Sequence, residues 1–207
     1  MTFWDAVAPL YDFFEGFNKA YKKMIIQVCE LIPPNATVLE LAAGTANISI
    51  AISPKSSQIL CTDIARHMLK IARRKAKNLP NVQVEKMSIF ETALPNNSHD
   101  VVIASQVLHL IDAPEKAAAE IKRVAKNTVI LPICLLGEST GVGRLAINAY
   151  KLIGYKPKHE FTQTSYQSFI EKIGFENCEF YHIKGKIPMA IAVWQGGVSS
   201  QIQNLVK

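Results

Sequence analysis

The stretch Ala36-Thr37-Val38-Leu39-Glu40-Leu41, followed without a break by Ala42-Ala43-Gly44-Thr45-Ala46, decides the fold. Its first six residues are mostly β-branched or aliphatic, are entered through the breaker Pro33-Pro34-Asn35, and give way to a run of small residues. That pattern predicts a buried strand turning sharply into a helix, which Ile48, Ile50, Ala51 and Ile52 continue up to Pro54. Outward from this turn the alternation repeats. A strand at 58–62 precedes a helix over 65–77, where Ala65, Met68, Leu69, Ala72 and Ala76 fall on one stripe. Strands at 81–87 and 99–105, a helix over 114–125 started by Pro114, and a strand at 127–133 follow. Strands alternating with helices of this length pair in parallel and are covered on both faces. The fold class is therefore α/β, a Rossmann-like open, mostly parallel sheet of seven strands. Towards the end the rhythm changes to a helix over 138–153, a polar stretch 155–164, a helix over 165–173 stopped by Gly174, and strands at 176–183 and 187–194. The last two can pair through Lys184-Gly185-Lys186, which gives the sheet an antiparallel edge strand.

Composition bounds what such a chain can be. It has 207 residues, 49% of them hydrophobic and 19% charged, with a formal net charge of +6. A charged fraction below the roughly 25% of an average domain excludes bulk disorder. No apolar run reaches the 18 or so residues of a membrane span, and acids from Asp5 onward argue against a leader segment, so a cytoplasmic location is expected. Cys29, Cys61, Cys134 and Cys178 lie too far apart for a metal-ligand motif, and no metal is expected. Without repeats or linkers, residues 1–207 read as a single domain. Residues 1–32 form a helical N-terminal lid, 36–133 a ligand-binding core, and 134–195 the helices and closing strands around a second pocket. The lid is rich in aromatics, among them Trp4, Tyr11 and Phe14, and must cover something apolar. In an open sheet the uncovered place is the crevice at the carboxyl ends of the strands.

Three residues fall in that crevice. Glu40 lies at the end of the first strand, Gly44 in the turn, and Asp63 ends the second strand 19 residues after Gly44. An acid at that spacing is placed to accept hydrogen bonds from ribose hydroxyls, which points to an adenosine ligand. A pyrophosphate needs a G-x-G-x-x-G turn and is repelled by a carboxylate; here there is one glycine, with Glu40 at its entrance. The ligand should instead carry a positive amino group. His109, four residues past Ser105, is a candidate general base on the crevice side. Arg66, Lys70, Arg73, Arg74, Lys75 and Lys77 lie opposite the apolar stripe of their helix without interleaved aromatics, and read as a solvated face rather than a nucleic-acid surface.

The segments 38–46 (VLELAAGTA), 62–72 (TDIARHMLKIA) and 94–112 (LPNNSHDVVIASQVLHLID) resemble the class I S-adenosylmethionine-dependent methyltransferases, in their small-molecule branch. The resemblance covers residues 3–133, and Phe161 to Phe175 is similar to the late helix of that branch. It implies S-adenosyl-L-methionine as cofactor, with S-adenosyl-L-homocysteine as product. Glu40 and the backbone of Ala42, Ala43 and Gly44 would hold the methionine end and Asp63 the ribose. Ile64 and Met68 would pack on adenine, Ser88 and the Ile89 amide would meet its edge, and Ser105 would border the methionine portion. Tyr11 would close over the site. The activity implied is in-line methyl transfer to a small organic or peptidic acceptor, with His109 and Tyr11 as candidate catalytic residues. Tyr150, Tyr155, His159 and Tyr166 would shape the acceptor pocket. The same residues also admit a nucleic-acid methyltransferase using the basic helix 65–77, or a non-catalytic adenosine-ligand binder; a nicotinamide oxidoreductase lacks its glycine fingerprint here. In the family the turn reads G-x-G-x-G, whereas Ala42 and Ala46 stand at its first and third positions. A methyl group at positive φ costs about 1 kcal/mol or more, so Ala42 is expected in an ordinary backbone region.

Overall fold

The computed structural model describes Trp4, Val7, Ala8, Asp12, Gly16 and residues 18–196. Helix α1 (Lys19–Leu31) begins at Asn18, whose side-chain oxygen accepts hydrogen bonds from the amides of Ala20 and Tyr21 at 3.1 and 3.3 Å. Strand β1 (Thr37–Leu41), helix α2 (Asn47–Ile52), strand β2 (Gln58–Asp63), helix α3 (Arg66–Ala76) and strand β3 (Val82–Lys86) make the first half of the sheet. Strand β4 (His99–Ala104), helix α4 (Pro114–Val124) and strand β5 (Ala125–Cys134) make the second. Helices α5 (Gly141–Leu152) and α6 (Gln163–Lys172) then precede strands β6 (Glu179–Ile183) and β7 (Met189–Gln195).

The strand order is β3-β2-β1-β4-β5-β7-β6. The first five strands in this order pair in parallel, and β7 enters antiparallel between β5 and β6. Along β1 the side chains alternate between two cores, as the pleat requires. Val38 packs with Met24 and Val28 of α1 and Ile48 and Ile52 of α2 on one face. Leu39 and Leu41 pack with Ile121 of α4 and Ile170 of α6 on the other. The order reverses between β1 and β4, so a ligand crevice is expected where both strands end, at Ala42 and Ser105. No helix of the described residues is long and apolar enough to cross a membrane.

The helix expected over 138–153 divides. Leu136–Glu138 form a 3-10 turn, Ser139 and Thr140 are extended, and α5 restarts at Gly141. One glycine then fixes where α5 sits. A Cβ on Gly143 would lie 2.2 Å from the Lys186 carbonyl oxygen, so only a glycine lets α5 pack on the β6–β7 loop. That contact brings the end of the sheet against α5.

Candidate active site

The β1–α2 turn overturns the expectation for Ala42. Ala42, Gly44 and Ala46 have φ of 53°, 57° and 66°, all left-handed. Three backbone interactions hold the turn: the Ala43 amide donates to the Thr62 carbonyl at 2.8 Å, the Gly44 amide to Asp63 Oδ2 at 2.8 Å, and the Ala46 amide to the Ala43 carbonyl at 2.9 Å. Tertiary hydrogen bonds thus over-determine a conformation that alanine disfavours by about 1–2 kcal/mol. Ala42→Gly is expected to raise stability by about 1 kcal/mol, seen as an increase of roughly 2–4 °C in Tm for a chain of this size. Ala46→Gly should be near neutral. The Ala46 methyl is wholly buried among Ile48 and Ile52, and losing it removes about 0.8 kcal/mol of burial.

Glu40 is 1% exposed. Its Oε2 accepts hydrogen bonds from the Ser49 amide at 2.9 Å and from the Ser49 hydroxyl, in the first turn of α2. Complete burial pushes its carboxyl up to about 7; the Ser49 hydrogen bonds restrain the rise and the Asp63 charge adds to it. Asp63 closes β2 and serves two elements at once. Oδ2 caps the turn at Gly44, and Oδ1 accepts from the Ala65 amide at 2.8 Å, ahead of α3. A carboxylate has about four acceptor sites, so capping two amides is compatible with receiving ribose hydroxyls. Beside it Ile64 is 62% exposed, unusual for an aliphatic side chain between buried neighbours and suited to stacking under a flat ring.

Met68 is buried, and packs with Ala65, Trp4, Val7 and Ala8. Ser88 accepts a hydrogen bond from the Phe90 amide at 3.2 Å, and Ile89 is buried in the core beneath it. Ser105 follows the last residue of β4 and is half-buried. Tyr11 lies outside the described residues. Its neighbour Asp12 is described, and it crosses to the turn: Oδ1 accepts from the Thr45 hydroxyl at 2.6 Å and from Asn47 Nδ2 at 3.1 Å, and Oδ2 pairs with Lys75 Nζ at 2.6 Å. Burial alone would raise the Asp12 carboxyl, but hydrogen bonds from Lys75, Thr45 and Asn47 outweigh it and hold it below its ordinary value. Lys75 is therefore not part of a solvated face. Its ammonium also donates to Asn47 Oδ1 at 2.7 Å, tying α3, α2 and the N-terminal segment together.

A second space of about 600 Å³ lies beyond the ends of β4 and β5. His109 and Gln106 contribute to its wall, with Cys134, Ile147 and Tyr150, the aromatic pair Trp4 and Tyr155, and the β6–β7 loop. His109 is 2% exposed; its Nε2 is 2.8 Å from the Tyr155 hydroxyl. Burial, helped by the charge of nearby His159, lowers its imidazole to about 3 and keeps it neutral. Tyr150 and Tyr155 both line this space, edge to face at 6.2 Å. His159 and Tyr166 do not. His159 stacks on Phe161 at 5.3 Å and lines a separate surface groove, and the Tyr166 hydroxyl is spent on the Leu131 carbonyl at 2.6 Å inside the core. Gln106, Ser49 and the Lys184–Lys186 loop were not legible as site residues. Only Ser49, polar within the apolar run of α2, gives a sequence signal.

A mostly parallel seven-stranded sheet with β7 inserted antiparallel, and an acid closing β2 over a strand-to-helix turn, define a Rossmann-like fold. The methyltransferase-domain family matches residues 39–132. The chain is 23% identical over 206 residues to the ubiquinone/menaquinone biosynthesis C-methyltransferase UbiE of Escherichia fergusonii, covering 87% of this chain and 81% of that protein. Among solved structures it shares the fold of a SAM-dependent methyltransferase of Thermotoga maritima, with a TM-score of 0.68, 19% identity, and coverage of 93% and 99%. It also shares the fold of the magnesium protoporphyrin IX methyltransferase of Synechocystis with bound SAH, with a TM-score of 0.63, 13% identity, and coverage of 85% and 83%. The chain is thus similar in sequence to methyltransferases and shares the fold of S-adenosylmethionine-dependent ones.

Proposed function

We propose that the chain binds S-adenosyl-L-methionine in the β1–β4 crevice and transfers its methyl group to a small organic acceptor held in the 600 Å³ cavity. The observation that carries this reading is Asp63, which ties the Gly44 turn to the start of α3 while keeping acceptor capacity for a ribose. Ile64 and Met68 would hold adenine, Ser88 and Ile89 its edge, and Glu40, Ala42, Ala43, Gly44 and Ser105 the methionine end. When bound, the cofactor supplies a methyl group already made electrophilic by its sulfonium. What remains for the protein is to place an acceptor in line and exclude water, which can supply on the order of 7–11 kcal/mol. Trp4, Tyr150 and Tyr155 wall the cavity for that purpose. His109, held neutral by burial, would orient the acceptor by accepting a hydrogen bond at Nδ1, since Nε2 is engaged with Tyr155. The name of the E. fergusonii relative supports a small-molecule acceptor. None of the four cysteines forms a disulfide, which suits a reducing compartment, and the chain would work in the cytoplasm.

Thermal unfolding with S-adenosylmethionine, S-adenosylhomocysteine and NAD tests the cofactor assignment. At 100 times Kd a ligand adds about 2.7 kcal/mol, so each of the first two should raise Tm by several degrees. A shift with NAD alone overturns the reading.

A further inference from the structure

Among the described residues the cavity wall carries four cations and no carboxylate. Lys19 and Lys23 of α1 and Lys184 and Lys186 of the β6–β7 loop all contribute to it, and no ion pair engages any of the four among the described residues. Four lysines elsewhere, Lys75, Lys126, Lys151 and Lys158, each meet an aspartate or glutamate; what sets the cavity lysines apart is that they share one wall. Like charges gathered round one apolar space repel one another, and an anionic occupant removes that cost. A second observation comes from inside the same space. Gln106 Nε2 and His109 Nδ1 are buried without a hydrogen-bond partner. Native proteins satisfy nearly all such atoms, and an exception marks a group awaiting a ligand or water. The amide nitrogen can only donate, since the Gln106 oxygen already accepts from the Cys134 amide at 2.9 Å. With the proton of His109 on Nε2, donated to the Tyr155 hydroxyl, Nδ1 can only accept. A donor and an acceptor left open in one wall match a hydroxyl group, which accepts from the first and donates to the second.

We infer that the acceptor is an apolar hydroxy acid, with its hydroxyl at Gln106 and His109 and its carboxylate at the lysines. This names the substrate class for the cavity assigned above and rests on that assignment. The space, about 600 Å³, has the size of ordinary small-molecule sites.

Calorimetric titration of the full chain, saturated with S-adenosylhomocysteine, tests the inference with three probes: para-hydroxycinnamate, para-hydroxycinnamamide and cinnamate. The hydroxy acid should bind about tenfold tighter than its amide at low salt, with the advantage shrinking as salt is raised. It should also bind more tightly than cinnamate. In the Lys184→Gln/Lys186→Gln variant, whose substitutions are on exposed residues, the acid should lose most of its advantage while the amide and S-adenosylhomocysteine bind as before. Gln106→Leu should erase the preference for the hydroxyl. Equal binding of acid and amide, or an advantage that survives the double substitution, overturns the inference. So does sedimentation with phosphatidylglycerol vesicles combined with no binding of the acid, which would assign the lysines to a lipid surface. Because S-adenosylhomocysteine binding is measured first and separately, its absence sinks the cofactor assignment, whereas its presence without acid selectivity sinks only the acceptor class.

Discussion

Asp63→Ala is expected to abolish measurable binding of S-adenosylhomocysteine and to lower stability by about 2–4 kcal/mol. The stability loss follows from the two amides that Asp63 serves. Gly44 N and Ala65 N each donate to one of its oxygens at 2.8 Å, and the residue is 9% exposed. A buried donor left without a partner costs about 1–3 kcal/mol, and water entering the shortened side chain's space recovers part of that. The binding loss follows from the ribose, where hydrogen bonds to a charged acceptor contribute about 1.5–3 kcal/mol each, so losing two is more than a hundredfold. Asp63→Asn separates the two effects. Its oxygen keeps one amide while its NH₂ opposes the other, so the variant should fold with a smaller loss and still bind poorly. Titration calorimetry on this folded variant is the decisive measurement. Affinity within about tenfold of the wild type would remove Asp63 from the cofactor site.

Much of this arrangement was legible in the sequence because it depends on neighbours along the chain. The buried runs around Leu39, Leu60 and Val102 specify strands, and the gap from Gly44 to Asp63 follows from the length of α2 and β2. What was not legible depends on distant partners. Backbone preference places Ala42 in an ordinary region, but the preference is overruled by hydrogen bonds reaching the turn from Thr62 and Asp63. Helical periodicity puts Lys75 in solvent, since it sees only α3; Asp12, 63 positions upstream, comes to meet it. Tyr166 has the same aromatic character as Tyr155, yet α6 turns it into the core, where Leu131 takes its hydroxyl. The cationic wall is the clearest case. Lys19 and Lys186 are separated by most of the chain, and they share a cavity only because β7 inserts between β5 and β6 and Gly143 lets α5 close on the returning loop.

Glu40→Gln should stabilise the protein above neutral pH and leave it nearly unchanged in acid. The Glu40 carboxyl is pushed up to about 7 from an ordinary 4.5 by complete burial. A carboxyl raised in this way holds its proton more tightly in the folded state. Its contribution is therefore fully present below about pH 4.5 and is lost as pH rises through 7. At 1.36 kcal/mol per unit the loss by about pH 8 is on the order of 3 kcal/mol. Glutamine keeps an oxygen for the Ser49 amide and carries no charge, so the variant escapes that loss. His109 slopes the other way: its imidazole is lowered to about 3 by burial, so its contribution is lost as pH falls below the ordinary 6.5. The wild-type profile mixes both groups, and the difference between wild type and Glu40→Gln isolates one of them. That difference, followed by denaturant unfolding from about pH 5 to pH 8, should grow with pH, and a flat difference would show that Glu40 does not titrate in this range. Cofactor binding gives the matching test. If Glu40 meets the amino group of the methionine end, the positive charge draws off its proton, so S-adenosylhomocysteine should bind wild type more tightly as pH rises through 7. Glu40→Gln should bind more weakly at about pH 8 and lose that slope; equal slopes in the two proteins would assign Glu40 to holding α2 through Ser49 and nothing more.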